Sequence, residues 1–173
     1  NWNDRLIGIK GTPGVGKTTF LLQYAKEKFG TDRSCLFINM NNFYFSNFSI
    51  VDFAYEFQRR GGKVLLIDQV FKHPDWSREL RMCYDRFPNL KIVFTGSSVM
   101  RLKEENLELR DIVKSYNLRG FSFREYLNLQ TGMKFRAYTL EEILSNHEQI
   151  AKGILSKVRP LDYLQDYLHH GFY

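Results

Sequence analysis

Short apolar segments alternate with segments of helical spacing over the first two thirds of the chain. Apolar runs predict strands at 6–10, 35–39, 64–67 and 91–95, with a weaker fifth at 112–116. Between them, apolar side chains recur every three or four residues and predict helices at 19–29, 50–60 and from 76 to Phe87. Strands that are apolar throughout and alternate with helices are typical of a parallel sheet covered on both faces. The pattern therefore predicts an α/β fold.

The last third of the chain has a different pattern, in which helices dominate. Ser122 and Thr139 are each followed three residues later by Glu, the capping-box spacing that marks a helix start. Pro160 stands where the first residue of another helix belongs. We therefore predict an α/β core over 1–119 and a small C-terminal helical extension over 120–173.

Composition places the chain among ordinary globular proteins, since 43% of its 173 residues are hydrophobic and 25% are charged. The net charge of +6 suits nucleotide phosphates or nucleic acid, but the cations are interleaved with acids, so we interpret it as a mildly basic surface. Cys35 and Cys83 lie in apolar stretches and are expected to be buried free thiols.

The sequence carries no sign of a membrane or export segment. No apolar run approaches the roughly 20 residues that span a bilayer, and no signal peptide is evident, so we expect a cytoplasmic protein that does not enter a membrane. The first residue is Asn1 and the last is Tyr173, and we expect both ends to be cut from a longer protein.

The segment 11–18 reads Gly-Thr-Pro-Gly-Val-Gly-Lys-Thr and fits the phosphate-binding pattern G-x-x-x-x-G-K-[ST]. Its glycines let backbone N–H groups curl around a phosphate, and the following helix adds its positive dipole end. Lys17 is expected to reach the β- and γ-phosphates, and Thr18 to ligate Mg²⁺. The predicted nucleotide-binding residues are Thr12, Pro13, Gly14, Val15, Gly16, Lys17, Thr18 and Thr19.

A second element follows at 64–69, where an apolar strand ends in Asp68 and Gln69. Downstream of a phosphate loop, an Asp at a strand end matches the Walker-B role, so Asp68 is predicted to hold Mg²⁺ through water. Glu is usual at the next position, as the base that polarises the attacking water, and Gln cannot accept a proton at neutral pH. Loss of a general base costs roughly 10² to 10⁴ in rate, so we expect hydrolysis to be impaired. Nucleotide binding is expected to persist, because Lys17, Thr18, Asp68 and the loop amides are intact.

Three interpretations of Gln69 stay open. It is a substitution introduced to trap bound ATP, a natural feature of a nucleotide-dependent switch, or a residue that orients water by hydrogen bonding, as a glutamine does in small GTPases. We favour the first interpretation, because this conservative replacement of one acid stands in an otherwise complete site.

The strand at 91–95 ends in a segment of hydroxyl residues, Thr95-Gly-Ser-Ser98. Such residues beside the γ-phosphate occupy the sensor-1 position, so Thr95 or Ser97 is a candidate phosphate sensor. An ordinary turn rich in Gly and Ser explains the segment equally well. With Lys17, Asp68 and Gln69, Thr95 completes our predicted catalytic set.

Together these motifs resemble the bacterial and archaeal AAA-type ATPase domain that is often followed by a DUF4143 region. The resemblance includes the segments Asp75-Trp76 and Phe123-Arg-Glu-Tyr126 and extends over nearly the whole chain. It implies a P-loop core with sheet order 5-1-4-3-2, a helical extension, and hydrolysis of ATP with Mg²⁺. The family has Glu at the position of Gln69 and an Arg pair ending at Arg110, where this chain has only the second arginine.

The sequence fits two other functions, a small-molecule kinase and a nucleic-acid-binding protein, less well. A small-molecule kinase needs an acceptor pocket framed by arginines, which the Walker-B and hydroxyl-strand layout does not suggest. Nucleic-acid binding would use the clusters at 59–63 and 78–86, but no reader motif accompanies them, and a solvated helix face is the simpler interpretation. Arg124 is expected to pair with a nearby acid rather than with nucleotide. A homo-oligomer or a partner protein stays open.

Overall fold

The computed structural model describes residues 2–46, 48–97 and 106–171. They fall into two compact units, Asn1–Arg119 and Gly120–Tyr173. Ser98 of the predicted hydroxyl segment lies outside the described residues.

The first unit is built on five parallel strands. They are β1 Leu6–Gly11, β2 Cys35–Asn39, β3 Val64–Asp68, β4 Lys91–Ser97 and β5 Lys114–Asn117. Their order in the sheet is β2-β3-β4-β1-β5, and every neighbouring pair is parallel. This confirms the predicted α/β P-loop fold and its sheet order 5-1-4-3-2.

Apolar side chains cover both faces of the sheet. On one face, strand residues such as Leu65 and Phe94 pack with α2 Ile50–Arg59 and α3 Trp76–Arg86. On the other, Leu66 and its neighbours pack with Leu21 of α1 Lys17–Lys28. Because both faces are buried, the strands are continuous apolar runs rather than alternating ones.

The fifth strand begins later than its sequence pattern predicts. Ile112 and Val113 direct their backbone N–H groups to the carbonyl oxygen of Leu109, at 3.2 and 2.9 Å. Those amides close a turn, so pairing with β1 starts only at Lys114. Val113 is apolar because it is buried in the core, not because it belongs to the strand.

The two cysteines differ in their surroundings. Both are free thiols, and Cys83 is buried as expected, whereas Cys35 at the start of β2 is only half-buried. Burial raises the pKa of the Cys83 thiol to about 12 and that of Cys35 to about 11, so both are protonated at neutral pH.

The second unit is helical, with α4 Phe123–Thr131 and α5 Leu140–Leu155. Both predicted capping boxes are formed, with Ser122 and Thr139 as the N-caps. Pro160 begins a helical turn as predicted, but the segment continues irregularly, as a 3₁₀ turn Pro160–Tyr163, a single α-turn α6 Leu164–Asp166 and a π-turn Tyr167–Gly171.

Gly11 is required at the junction between β1 and the phosphate loop. A Cβ built there lies 2.3 Å from the backbone oxygen of Leu118, whose N–H donates to Lys10 O at 2.7 Å. We therefore expect Gly11→Ala to lower the free energy of unfolding by about 1–3 kcal/mol, as overpacking of a core does.

Urea unfolding followed by circular dichroism measures this change. Gly153→Ala is the matched control, because nothing lies within 4 Å of a Cβ at that helical position. There alanine is expected to be neutral or to stabilise by up to about 1 kcal/mol. Equal stability of the Gly11→Ala variant and the native protein would contradict the close approach.

Candidate functional site

The carboxyl ends of β1, β3 and β4 meet at a cavity of about 430 Å³. In an open parallel sheet this edge is where ligands bind. Six residues of the phosphate-loop segment 11–18 line this cavity, together with residues at the ends of β3 and β4. The described lining residues are Gly11, Pro13, Gly14, Gly16, Lys17, Thr18, Thr19, Asp68, Gln69, Phe71, Gly96 and Ser97. The predicted residues Thr12 and Val15 belong to the same loop but do not line the cavity in this structure.

The loop backbone has the conformation that the glycine pattern predicts. Gly14 and Gly16 have φ values of 84° and 88°, in the left-handed region that residues with a side chain rarely adopt. Gly16 is the N-cap of α1, and no side chain caps this helix end and no acid stands in its first turn. The first amides of α1 therefore carry a positive partial charge that no side chain of the first turn offsets, which favours an anion.

Lys17 lies across its own loop. Its Nζ donates to the carbonyl oxygens of Gly11 and Thr12, at 2.9 and 2.7 Å. Partial burial lowers the pKa of Lys17, and the Asp68 carboxylate offsets part of that change. The ammonium thus lies at the cavity and donates to two neutral carbonyl oxygens. A phosphate oxygen can take the place of these carbonyls and accept a charge-assisted hydrogen bond from Lys17.

Asp68 is the buried centre of the site, with only 1% of its surface exposed. Oδ2 accepts hydrogen bonds from Thr18 Oγ1 at 2.9 Å and Asn39 Nδ2 at 3.0 Å. Oδ1 accepts one from Thr95 Oγ1 at 2.6 Å. Within residues 2–46, 48–97 and 106–171 this carboxylate makes no salt bridge.

This donor set fits Mg²⁺. A buried carboxylate without a cation is costly, and a carboxylate beside a hydroxyl offers the hard oxygens that Mg²⁺ prefers. No group of three or more His, Cys, Asp or Glu able to hold a metal occurs in the part of the chain that the structure describes. A Mg²⁺ site here would use one or two protein groups together with waters and phosphate oxygens.

Thr95 is placed differently from the sequence expectation. Its side chain is fully buried, and its hydroxyl donates to Asp68 and accepts the backbone N–H of Gln69 at 2.9 Å. It therefore positions Asp68 and Gln69, and it is not among the described residues that line the cavity. Of the two candidate sensors, Ser97 is the one that lines the cavity.

Gln69 has a backbone conformation that is uncommon for a residue with a side chain, at φ 55° and ψ 45°. The Thr95 hydroxyl holds its N–H there, and the chain then turns into the 3₁₀ segment Val70–Lys72. As a result Gln69 lines the cavity directly after the buried Asp68.

Two residues at this site were missed by sequence reasoning. Asn39 is opposite Asp68 in the β2–β3 register, and Phe71 lines the cavity with 41% of its surface exposed. Asn39 could have been found, because it ends a predicted strand and the carboxyl ends of parallel strands share one edge. Phe71 follows a change of chain direction that no sequence pattern indicates.

The remaining cations have other surroundings. Arg124 donates to the Phe135 carbonyl oxygen at 3.1 Å and lies 3.7 Å from Glu125. Arg59 and Arg60 both approach Glu56, at 3.7 and 3.9 Å, as expected for a solvated helix face. Arg110 is exposed, immediately after the turn Leu107–Leu109.

A family model described as "AAA domain" matches residues 3–127, more than half of the chain. The chain belongs to this AAA-domain family. An uncharacterized protein of Methanocaldococcus jannaschii, MJ1637, is 31% identical over 169 residues, a match that covers 90% of this chain and 35% of that protein. The chain thus spans about a third of the length of this curated relative.

Among the described residues of the chain, no helix is both long enough and apolar enough to cross a bilayer.

The two hydrogen bonds of Thr95 give a stability prediction. Thr95→Val keeps the shape but leaves the Gln69 N–H without its partner and removes one donor from Asp68, so we expect a loss of about 2–4 kcal/mol in the free energy of unfolding. Thr95→Ser keeps the hydroxyl and removes one methyl group, for about 1 kcal/mol.

Urea unfolding of both variants makes the comparison. If Thr95→Ser is as destabilising as Thr95→Val, the hydroxyl is not what holds this part of the site together.

Proposed function

We propose that residues 1–119 bind ATP with Mg²⁺ in the cavity at the carboxyl edge of the sheet and hydrolyse it slowly. The observation that carries this proposal is the pairing of an anion-binding loop with a buried acid. The glycine loop and the start of α1 line the cavity, and so does Asp68, which accepts a hydrogen bond from Thr18 in the first turn of α1. Membership of the AAA-domain family supports nucleotide binding in general.

In this proposal the loop amides of residues 12–19 and the Lys17 ammonium hold the β- and γ-phosphates. Thr18 Oγ1 and Asp68 hold the metal, the latter through water. When bound, Mg²⁺ neutralises charge that develops on the phosphate oxygens. Adenine is favoured over guanine by the family resemblance, and no Asn-Lys-x-Asp segment is present to read guanine.

Gln69 determines the rate in this proposal. It lines the cavity at the position from which a base would act on the attacking water, but a neutral amide does not take up the proton. The Thr95 hydroxyl accepts its backbone N–H, a contact that is the same for Gln and Glu, so in this proposal the amide takes the place of a carboxylate. We therefore infer an ATP-binding state that persists, whether this glutamine was introduced as a trap or is natural.

A nucleotide-dependent switch without turnover is the second candidate, and Gln69 is the observation that favours it. ATP would then order the loops around the cavity and change a surface for a partner or a second copy. We further propose that the domain is of the type followed by a DUF4143 region in a larger cytoplasmic protein, in keeping with a relative of which the match covers 35%.

Binding is tested by isothermal titration calorimetry with ATP and MgCl₂. We expect saturable heat for the native chain and a loss of affinity of at least about tenfold for Lys17→Ala, because a charged hydrogen bond contributes about 1.5–3 kcal/mol. Lys28→Ala is the matched control, since it removes the same charge from the exposed far end of the same helix. Absence of heat for the native chain, or equal heat for Lys17→Ala, would overturn the proposal.

Turnover is tested by measuring phosphate release with no second substrate present. A small-molecule kinase would release no phosphate under these conditions, because it has no acceptor. We expect Gln69→Glu to raise the rate at least about tenfold, because it supplies the general base. A rate that stays at the native level while ATP still binds would favour the switch.

Gln69→Ala separates the interpretations of Gln69 itself. If glutamine orients the attacking water, alanine lowers the residual rate. If glutamine only blocks turnover, the rate of Gln69→Ala equals that of the native chain.

A further inference from the structure

We propose that Asn39 is a positioning residue for Asp68, which fixes the carboxylate for Mg²⁺ when ATP is bound. This inference rests on the function proposed above. It concerns a residue that belongs to neither the phosphate loop nor the Walker-B strand. Its contact is made across the sheet, from the end of β2 to the end of β3.

The amide of Asn39 is held in one orientation. Its Oδ1 accepts the backbone N–H of Asn41 at 2.8 Å, and its Nδ2 donates to Asp68 Oδ2 at 3.0 Å. Rotation of the amide by half a turn would bring an oxygen against the carboxylate and an NH₂ group against a backbone N–H. Both contacts would be repulsive, so the turn at Asn41 orients the donor toward Asp68.

The carboxylate needs this donor once a metal is present. In the structure Thr18 Oγ1 donates to Asp68 Oδ2 at 2.9 Å. A hydroxyl that ligates a cation does so through a lone pair and keeps its O–H, so Thr18 can hold the cation and still donate to Asp68. Thr18 must then follow the cation, whereas Thr95 on Oδ1 and Asn39 on Oδ2 lie on strands of the sheet, and these two donors together stop the carboxylate from rotating.

Such outer groups affect the metal more than the nucleotide. Partners that orient a metal ligand typically change metal affinity by 10- to 100-fold when they are removed. The phosphates, in contrast, are held by the loop amides and Lys17, and Asn39 does not line the cavity. Loss of the Asn39 amide should therefore weaken Mg²⁺ and leave metal-free ATP binding unchanged.

The experiment measures ATP affinity by calorimetry, first in EDTA and then over a series of MgCl₂ concentrations. For Asn39→Ala we expect the native affinity in EDTA and a Mg²⁺ midpoint raised about tenfold. Asn42→Ala is the matched control, an exposed asparagine of the same loop whose Oδ1 accepts the Tyr44 N–H at 3.0 Å. Its midpoint is expected to equal that of the native chain.

A second variant separates the contact with Asp68 from the local turn. Asn39→Ser keeps an oxygen that can accept the Asn41 N–H, but its shorter, neutral side chain does not extend to Asp68. We expect its Mg²⁺ midpoint to be raised as for Asn39→Ala, because Asp68 loses the same donor. Since this variant keeps the turn, it also tests the proposal if Asn39→Ala does not fold.

Two results would overturn the inference. One is a native midpoint for Asn39→Ala, and the other is a native midpoint for Asn39→Ser, which would reduce Asn39 to a residue of the turn. Neither result bears on the proposed function, which is overturned by an absence of ATP heat for the native chain or by equal heat for Lys17→Ala.

Discussion

The buried carboxylate of Asp68 is the interaction on which the site depends. It ends β3 with 1% of its surface exposed, and it accepts hydrogen bonds from Thr18 of α1, Asn39 of β2 and Thr95 of β4. Four elements are therefore joined through one side chain. A charge in such a place is tolerated only when donors surround it, so each of these elements must be placed where its donor reaches Asp68.

That constraint also shapes the chain that follows. Gln69 adopts a left-handed conformation at φ 55°, and its N–H is fixed by the same Thr95 hydroxyl that donates to Asp68. The hydrogen bond uses backbone atoms of residue 69, so the geometry is the same for Gln and for Glu. A change between these two residues therefore alters the proton chemistry at the cavity and leaves the architecture in place.

The sequence predicts the fold more fully than the site, for a physical reason. Strands buried on both faces must be apolar at every position, so runs such as 64–67 are visible locally, and so are the glycines that need positive φ. Val113 shows the limit of this signal, because burial in the core makes a turn residue look like part of a strand.

The site is harder to predict because its contacts are made between elements far apart in the sequence. The position of Thr95 at a strand end makes it a candidate phosphate sensor. The direction of its hydroxyl, however, depends on the neighbouring strand, which carries Asp68. Asn39 and Asp68 are 29 residues apart and meet only through the sheet register. Motifs within one segment, such as the phosphate loop, are readable, whereas a hydrogen-bond network across three strands follows only from their order.

The electrostatics of the cavity explain why a phosphate with its metal suits it better than a bare anion. Lys17 and Asp68 both lie at the cavity, and each carries a charge whose protein partners are neutral groups. Burial lowers the pKa of Lys17, and a phosphate oxygen in place of the loop carbonyls would raise it again, since it stabilises the charged form. The same phosphate would repel Asp68 unless a cation lay between them. In the proposed function, a triphosphate with Mg²⁺ would provide both counter-charges at once, so the loop and the acid would act as a pair.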